Sequence, residues 1–286
     1  MTAPSSIDAR LGVVSYLNTL PLIDGLERAR GVQIVAAVPS SLSGLLAAGA
    51  TDLSLCSVID QQRSEVPLEL VPVGQIGCDG PTWTVRLFSK RPLSETEIVG
   101  CDVDSHTSIA LLRILLREQY GLQPRFEPFD ASRSDRRDWP DTVLLIGDKV
   151  VRSGPGTDTH PYQLDLGEAW RKLTGLPFVF ASWFRRADAT GDELERARRL
   201  AVLVDHARRR NRHRIASIAK RHAPSHGWEI AQAIEYLGTR LCYECTPRSI
   251  EAIRTFLEAA STVGEPGQSG ESCPSLRIAS DVMAST

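Results

Sequence analysis

Leu11-Gly12-Val13-Val14-Ser15-Tyr16-Leu17-Asn18-Thr19-Leu20-Pro21-Leu22-Ile23 passes from an apolar, β-prone run to a cluster of hydroxyl and amide side chains, and then to a proline. That order reads as strand, polar loop, helix N-terminus. Such a junction gathers free backbone N–H groups, a positive helix end and several neutral donors in one place. It suits a small anion such as a carboxylate. A plainer reading is open too, in which Ser15, Asn18 or Thr19 only caps a helix.

Outward from this stretch the first half of the chain alternates. Residues 11–14, 32–38 and 52–58 read as strands, and 21–30 as the helix after the opening loop. Pro39-Ser40-Ser41 opens a second helix with Leu42, Leu45 and Leu46 on one face and Gly49 as its stop. Within 52–58, Leu53 and Leu55 are expected inward, and Ser54 and Cys56 outward. Strand–helix–strand repetition with short loops argues for a parallel sheet and the α/β class. Residues 68–73 and 84–89 are further strands; the stretch 74–81 between them is too glycine-rich for a regular element. Residues 90–94 read as a crossover.

A second α/β unit follows: a strand at 97–103, a helix at 109–120 ended by Gly121, strands at 124–129 and 142–146, and an aromatic strand at 176–183. Residues 192–260 read as helical. Residues 264–286, poor in large apolar side chains and rich in Gly, Ser and Pro, read as a loose tail.

The 286 residues, 42% hydrophobic and 24% charged with a net charge of −2, are ordinary for a soluble globular protein. No field of one sign favours nucleic acid or a membrane surface. No apolar run of about 18 residues offers a membrane span, and residues 1–10 lack the apolar centre of a secretory signal. The expectation is a cytoplasmic protein with reduced cysteines. Cys242-Tyr243-Glu244-Cys245 lacks the second pair or the nearby His that zinc needs. It reads as two semi-buried thiols in a helix-to-turn region, and no metal site is expected. The run Arg208-Arg209-Arg210-Asn211-Arg212-His213-Arg214 has no interleaved aromatics and follows Glu193, Glu195 and Asp205, so it reads as a solvated helix face.

Four later segments carry chemistry. Ser57 ends a strand, where α/β sheets bind ligands. In Asp104-Ser105-His106-Thr107-Ser108, three hydroxyls meet at the start of a long helix, more than one cap requires. His106 reads as exposed beside the cleft. In Leu144-Leu145-Ile146-Gly147-Asp148 a buried strand ends in Gly147, which allows close backbone approach, and Asp148. Asp148 could accept from a substrate hydroxyl, orient neighbouring donors, or cap the next turn. Finally comes Leu164-Asp165-Leu166-Gly167-Glu168-Ala169-Trp170 with Thr174-Gly175-Leu176-Pro177-Phe178-Val179-Phe180-Ala181-Ser182-Trp183, a helix, a glycine stop and an aromatic strand.

Taken in order, Ser15 to Thr19, the Pro39–Ser57 segment, Ser105 to Ser108, Ile146-Gly147-Asp148 and the Asp165…Trp183 run resemble the chorismate dehydratase family of the futalosine route to menaquinone. The resemblance covers roughly residues 10–260; the helical 192–258 region and the tail contribute little to it. It implies an α/β, two-lobed fold of the type II periplasmic-binding-protein kind, with the ligand cleft between the lobes. On that pattern residues 1–89 with 184–262 form one lobe, 97–178 the other, and 264–286 a flexible tail. The crossovers fall near 89–97 and 178–184.

The resemblance further implies a cofactor-free lyase. Its substrate is chorismate, and it acts as monomer or homodimer without nucleic acid or membrane. Asn18 and Ser15 would be catalytic. Tyr16, Thr19, Ser57, Thr84, Arg86, Ser105, Thr107, Ser108, Gly147 and Asp148 would bind substrate. Ser105, Thr107 and Ser108 would take one carboxylate; Ser15, Asn18 and Thr19 would face the reacting ring; Ser57 or Thr84 with Arg86 would complete the clamp. For Arg86 a surface salt bridge is an equal alternative. The rivals are a non-catalytic solute-binding protein for small carboxylates and the sister enzyme 1,4-dihydroxy-6-naphthoate synthase.

Overall fold

The computed structural model describes residues 8–102, 104–131, 138–263 and 275–281. Its elements run β1 (Ala9–Val14), α1 (Leu20–Ile23), β2 (Val32–Ala37), α2 (Pro39–Ala47), β3 (Leu53–Ser57), α3 (Asp60–Arg63), β4 (Leu68–Cys78) and β5 (Val85–Ser89). Then come β6 (Ile98–Asp102), α4 (His106–Tyr120), β7 (Arg125–Phe129), β8 (Thr142–Ile146), α5 (Asp148–Ser153), β9 (Tyr162–Asp165), α6 (Leu166–Thr174) and β10 (Phe178–Arg186). Last are α7 (Gly191–Asn211), α8 (Ile215–His222), α9 (Ile230–Glu235), a π turn (Tyr236–Arg240), β11 (Leu241–Cys242) and α10 (Pro247–Thr262).

Two sheets result. The first has the order β11-β4-β10-β3-β1-β2 and the second β7-β6-β8-β5-β9. The β1–β2, β1–β3, β6–β7 and β6–β8 pairs are parallel, as strand–helix alternation requires. β10 lies antiparallel between β3 and β4, and β5 antiparallel between β8 and β9.

The chain changes sheets earlier than 89–97. β5 already pairs with β8 and β9, so the passage lies between Cys78 and Val85. Asp165 fixes it, since its carboxylate accepts the backbone N–H groups of Thr82 (3.0 Å) and Trp83 (2.7 Å) while capping α6 through Glu168 N–H (3.1 Å). Trp83 sits at φ 66°, the one positive φ on a non-glycine among the described residues. Gly167 packs against this passage so tightly that a Cβ there would come within 2.5 Å of Cys78 Sγ. The Asp-Leu-Gly motif is thus the fastener of the passage. The return has ended by Phe178, because all of β10 belongs to the first sheet.

Several local expectations are corrected. The helix at 21–30 is only a short α1, since Gly25 turns to φ 93° and a 3₁₀ turn (Leu26–Arg28) follows. Residues 74–78 are strand after all. Gly77 is needed within β4 because a Cβ would lie 2.6 Å from the Phe178 carbonyl oxygen. Ser54 and Cys56 are buried along with Leu53 and Leu55, because β3 lies inside the sheet and is covered on both faces. Cys242 belongs to β11 and pairs with Gly77. In the basic run, Arg208 donates to the Val73 carbonyl (3.0 Å) and Arg210 to that of Asp24, so two of its guanidinium groups face protein.

The tail also differs from expectation where it is described. Ile278 bridges to Leu70, Ala279 is fully buried, and Asp281 takes paired hydrogen bonds from Arg185 and a further one from Arg198. The segment seals the edge of β4 that β11 leaves open. The rest of 264–286 lies outside the described residues.

One hydrophobic core runs through both halves. Trp170, Phe178 and Phe256 pack edge to face at 5.0–6.2 Å and join α6, β10 and α10. Burying each ring contributes about 2 kcal/mol or more.

Candidate active site

The carboxyl ends of β1, β3, β6 and β8 point to one cleft between the sheets, the position where parallel strands leave room for a ligand. Its closed-off space is about 60 Å³, and it opens to solvent. Tyr16, Asn18, Ser57, Thr84, Ser105, Thr107, Ser108 and Gly147 line it together. Apolar area comes from Val14, Ile76, Ile146, Phe180 and Leu241.

The loop after β1 supplies Tyr16 and Asn18. Tyr16 O–H donates to Asp104 (3.2 Å), itself bound to Lys149 (2.6 Å), which also holds Asp102 (2.8 Å). Burial and the neighbouring carboxylates of Asp104 and Asp102 push the Tyr16 pKa far up, so it is a neutral phenol. Its ring lies on Gly147, at φ 62°, where a Cβ would approach within 2.9 Å. Any side chain at 147 would displace Tyr16. Asn18 Nδ2 donates to the Tyr236 hydroxyl (3.3 Å), and Thr84 Oγ1 shares a hydrogen with the same hydroxyl at 2.7 Å.

The opposite wall is the start of α4. Ser105 caps the helix by accepting Ser108 N–H (3.2 Å). Thr107 is 2% exposed and its Oγ1 has no hydrogen-bond partner. First-turn N–H groups and a positive helix end add to it. A hydroxyl in this place could accept or donate to an oxygen-bearing group.

Four expected residues lie elsewhere. Ser15 is exposed, because the extended backbone at 14–16 turns Val14 and Tyr16 to the cleft and Ser15 to solvent. Thr19 is buried behind Asn18 and donates to its Oδ1 (3.5 Å). Arg86 points off the strand to Gln163 (3.2 Å) and Asp165 (3.7 Å), the salt-bridge alternative. Asp148 supports the cleft without lining it. Its carboxylate accepts from Leu17 N–H (3.2 Å) and Trp228 Nε1–H (2.8 Å) and meets His226 Nδ1 at 2.7 Å. It ties the β1 loop, the end of β8 and the helical region together, and Gly147, not Asp148, is the cap of α5.

His106 is half-buried rather than exposed. Its Nδ1 lies 2.7 Å from Asp60 Oδ1, so α4 is pinned to α3 across the cleft. Cys242 and Cys245 are half-buried free thiols, and burial pushes Cys245 up to about 11. Tyr236 is a cleft-lining residue that the sequence left unmarked. It is 1% exposed, stacked on Trp228 at 4.6 Å, and stands at the start of the π turn. Thr82 was missed as well.

Comparison with known proteins adds family and fold. The sequence profile of a menaquinone-biosynthesis family matches residues 9–262. A chorismate dehydratase of Thermus thermophilus is 34% identical over 206 residues, which are 67% of this chain and 75% of that protein. An alkanesulfonate-binding protein from Xanthomonas axonopodis, bound to MOPS, superposes with a TM-score of 0.61 at 15% identity, over 91% of this chain and 94% of its own. A Candida albicans protein described as having the generic periplasmic binding protein fold gives 0.59 at 10% identity, over 96% and 99%.

Proposed function

The chain belongs to the menaquinone-biosynthesis family, and from that premise we propose that it is a chorismate dehydratase of the futalosine route. The observation that carries this reading is the composition of the cleft, whose polar lining consists of hydroxyls, an amide and a helix N-terminus.

Chorismate carries two carboxylates, a ring hydroxyl and an enolpyruvyl ether. Loss of the proton on the ether-bearing carbon and of the ring hydroxyl gives water and an aromatic ring. The enolpyruvyl group stays, and the product is 3-[(1-carboxyvinyl)oxy]benzoate. The ring carboxylate acidifies that proton through the adjacent double bond. The enzyme must therefore hold both carboxylates and stabilise developing charge.

In this reading Thr107, Ser108 and the first turn of α4 hold one carboxylate, with Thr107 Oγ1 gaining the partner it lacks. Asn18 and Thr84 face the reacting ring, and Tyr16 and Ser57 shape its sides. Asp148 keeps the Asn18 loop in place. The described lining holds no carboxylate, His or Lys, and Tyr16 and Tyr236 are both held protonated by burial. The proton acceptor is then the substrate's own enolpyruvyl carboxylate. The elimination is redox-neutral and balances within the substrate, so the reading asks for no cofactor. A cytoplasmic location goes with it, in line with the free thiols of the described cysteines.

The test is to incubate the purified protein with chorismate and follow products by liquid chromatography and mass spectrometry. Loss of one water with the enolpyruvyl group retained is the expected result. Unchanged chorismate that nonetheless raises the Tm would replace the enzyme by a carboxylate-binding protein.

A further inference from the structure

Tyr236 stands where the cleft's wiring can be read atom by atom. Its oxygen has two described neighbours, Asn18 Nδ2 at 3.3 Å and Thr84 Oγ1 at 2.7 Å. A phenol has one hydrogen to give, and an amide nitrogen can only donate. The phenol oxygen could accept from both neighbours, but Tyr236 is 1% exposed and its hydrogen needs an acceptor within the protein; Thr84 Oγ1 is the described one, and giving the hydrogen there turns the Thr84 hydrogen away from Tyr236, toward the cleft that Thr84 lines. Asn18 Oδ1 lies 3.5 Å from the Thr19 hydroxyl, with Nδ2 toward Tyr236. The second Nδ2 hydrogen is left for the cleft.

We infer that Tyr236 is a positioning residue, which sets the hydrogen-bond direction of Asn18 and Thr84 so that both offer donors to a substrate oxygen gaining negative charge during the elimination. The inference rests on the dehydratase reading of the cleft. Burial pushes the Tyr236 pKa up, which keeps the deciding hydrogen in place.

The surrounding structure fixes the phenol from outside. Tyr236 opens the π turn, an irregularity common at functional sites. Arg240, the last residue of that turn, lies over the Trp83 ring at 4.4 Å and is held by Glu235 at 2.6 Å. Trp83 is the residue at φ 66°, one position before Thr84. One clasp therefore places both the phenol and its acceptor. On the far side the Trp228 ring that stacks on Tyr236 donates its N–H to Asp148.

Steady-state kinetics with chorismate test this through Tyr236→Phe, which removes the hydroxyl and keeps the stacked ring. The expected result is a kcat lower by roughly 10- to 100-fold with KM within about 2-fold. The double variant Asn18→Ala/Tyr236→Phe should lose clearly less than the product of the two single losses, because part of the Tyr236 effect runs through Asn18 and the rest through Thr84. Thr84→Val should repeat the kcat loss, and Thr84→Ser, which keeps the hydroxyl, should restore most of it; this pair reads the same wiring if Tyr236→Phe folds poorly. Unchanged kcat in a folded Tyr236→Phe overturns the inference. So does a loss confined to KM, or Asn18 and Tyr236 effects that multiply. Wild-type protein that leaves chorismate unchanged in the same assay would overturn the dehydratase reading itself.

Discussion

On one wall of the cleft Asn18, Thr84 and Tyr236 bond to one another, and Asp148 braces the loop behind them. On the other, Ser105 accepts the helix-capping bond from Ser108 N–H while Thr107 Oγ1 is buried without a described hydrogen-bond partner. The first wall is a connected network, whose direction we assign to Tyr236. The second is an open seat at a positive helix end. Under the proposed function the contrast becomes a division of labour: the helix end would contribute binding, because an anion completes it, and the Asn18 wall would contribute rate, because its donors are oriented before the substrate reacts.

Three substitutions sharpen or break this division, and a fourth tests the fold away from it. The largest effect belongs to Asn18→Ala, which should lower kcat by about 10²–10³-fold while the Tm stays near that of the wild type. Near-normal turnover would remove Asn18 from the reacting wall. Next comes Asp148→Asn. It removes the charge that three groups share at 2.7–3.2 Å, and should cost about 2–3 kcal/mol of stability and at least tenfold in kcat. Denaturant unfolding and kinetics on one preparation check both, and an unaffected kcat would confine Asp148 to the fold. Thr107→Val keeps the shape and removes the unpaired oxygen. KM should rise about tenfold with kcat little changed; a kcat defect instead would undo the contrast between the walls.

The smallest effect lies far from the cleft. Arg185 and Arg198 hold the Asp281 carboxyl down at about 2, below the ordinary carboxylate range. This contribution is complete above the unfolded pKa of about 4 and is lost as pH falls through the folded value. Asp281→Asn should lower the Tm by a few degrees at pH 7, and the gap to wild type should close as pH falls toward about 2. A pH-independent gap would mean that Asp281 acts by packing rather than by charge.

How legible each wall was follows from how local its signal is. The helix end is written in adjacent residues, since Ser105, Thr107 and Ser108 precede an apolar periodicity that any reader of helices finds. The Asn18 loop is equally local. Tyr236 lies 218 positions from Asn18, on a π turn that no regular periodicity announces, and a lone tyrosine among helical residues reads as core. Ser15 and Arg86 show a different failure. Their neighbours were placed well, but a strand sends alternate residues to opposite faces, and motif membership does not say which face is which. At the level of the fold, strand–helix alternation showed the parallel pairs. The antiparallel placement of β5 and β10, and so the true point of passage between sheets, depends on long-range pairing and on the Asp165 fastener. The described tail segment was misread because small, polar composition signals looseness, while Ala279 and Asp281 gain their order from β4, Arg185 and Arg198.

The division between binding wall and reacting wall is tested most directly by calorimetric titration of chorismate into Asn18→Ala and into Asn18→Ala/Thr107→Val, where slow turnover lets binding be read alone. The account predicts that Asn18→Ala binds chorismate with a Kd near the wild-type KM, and that adding Thr107→Val weakens binding about tenfold. Loss of binding in Asn18→Ala itself, or no further loss from Thr107→Val, would contradict it.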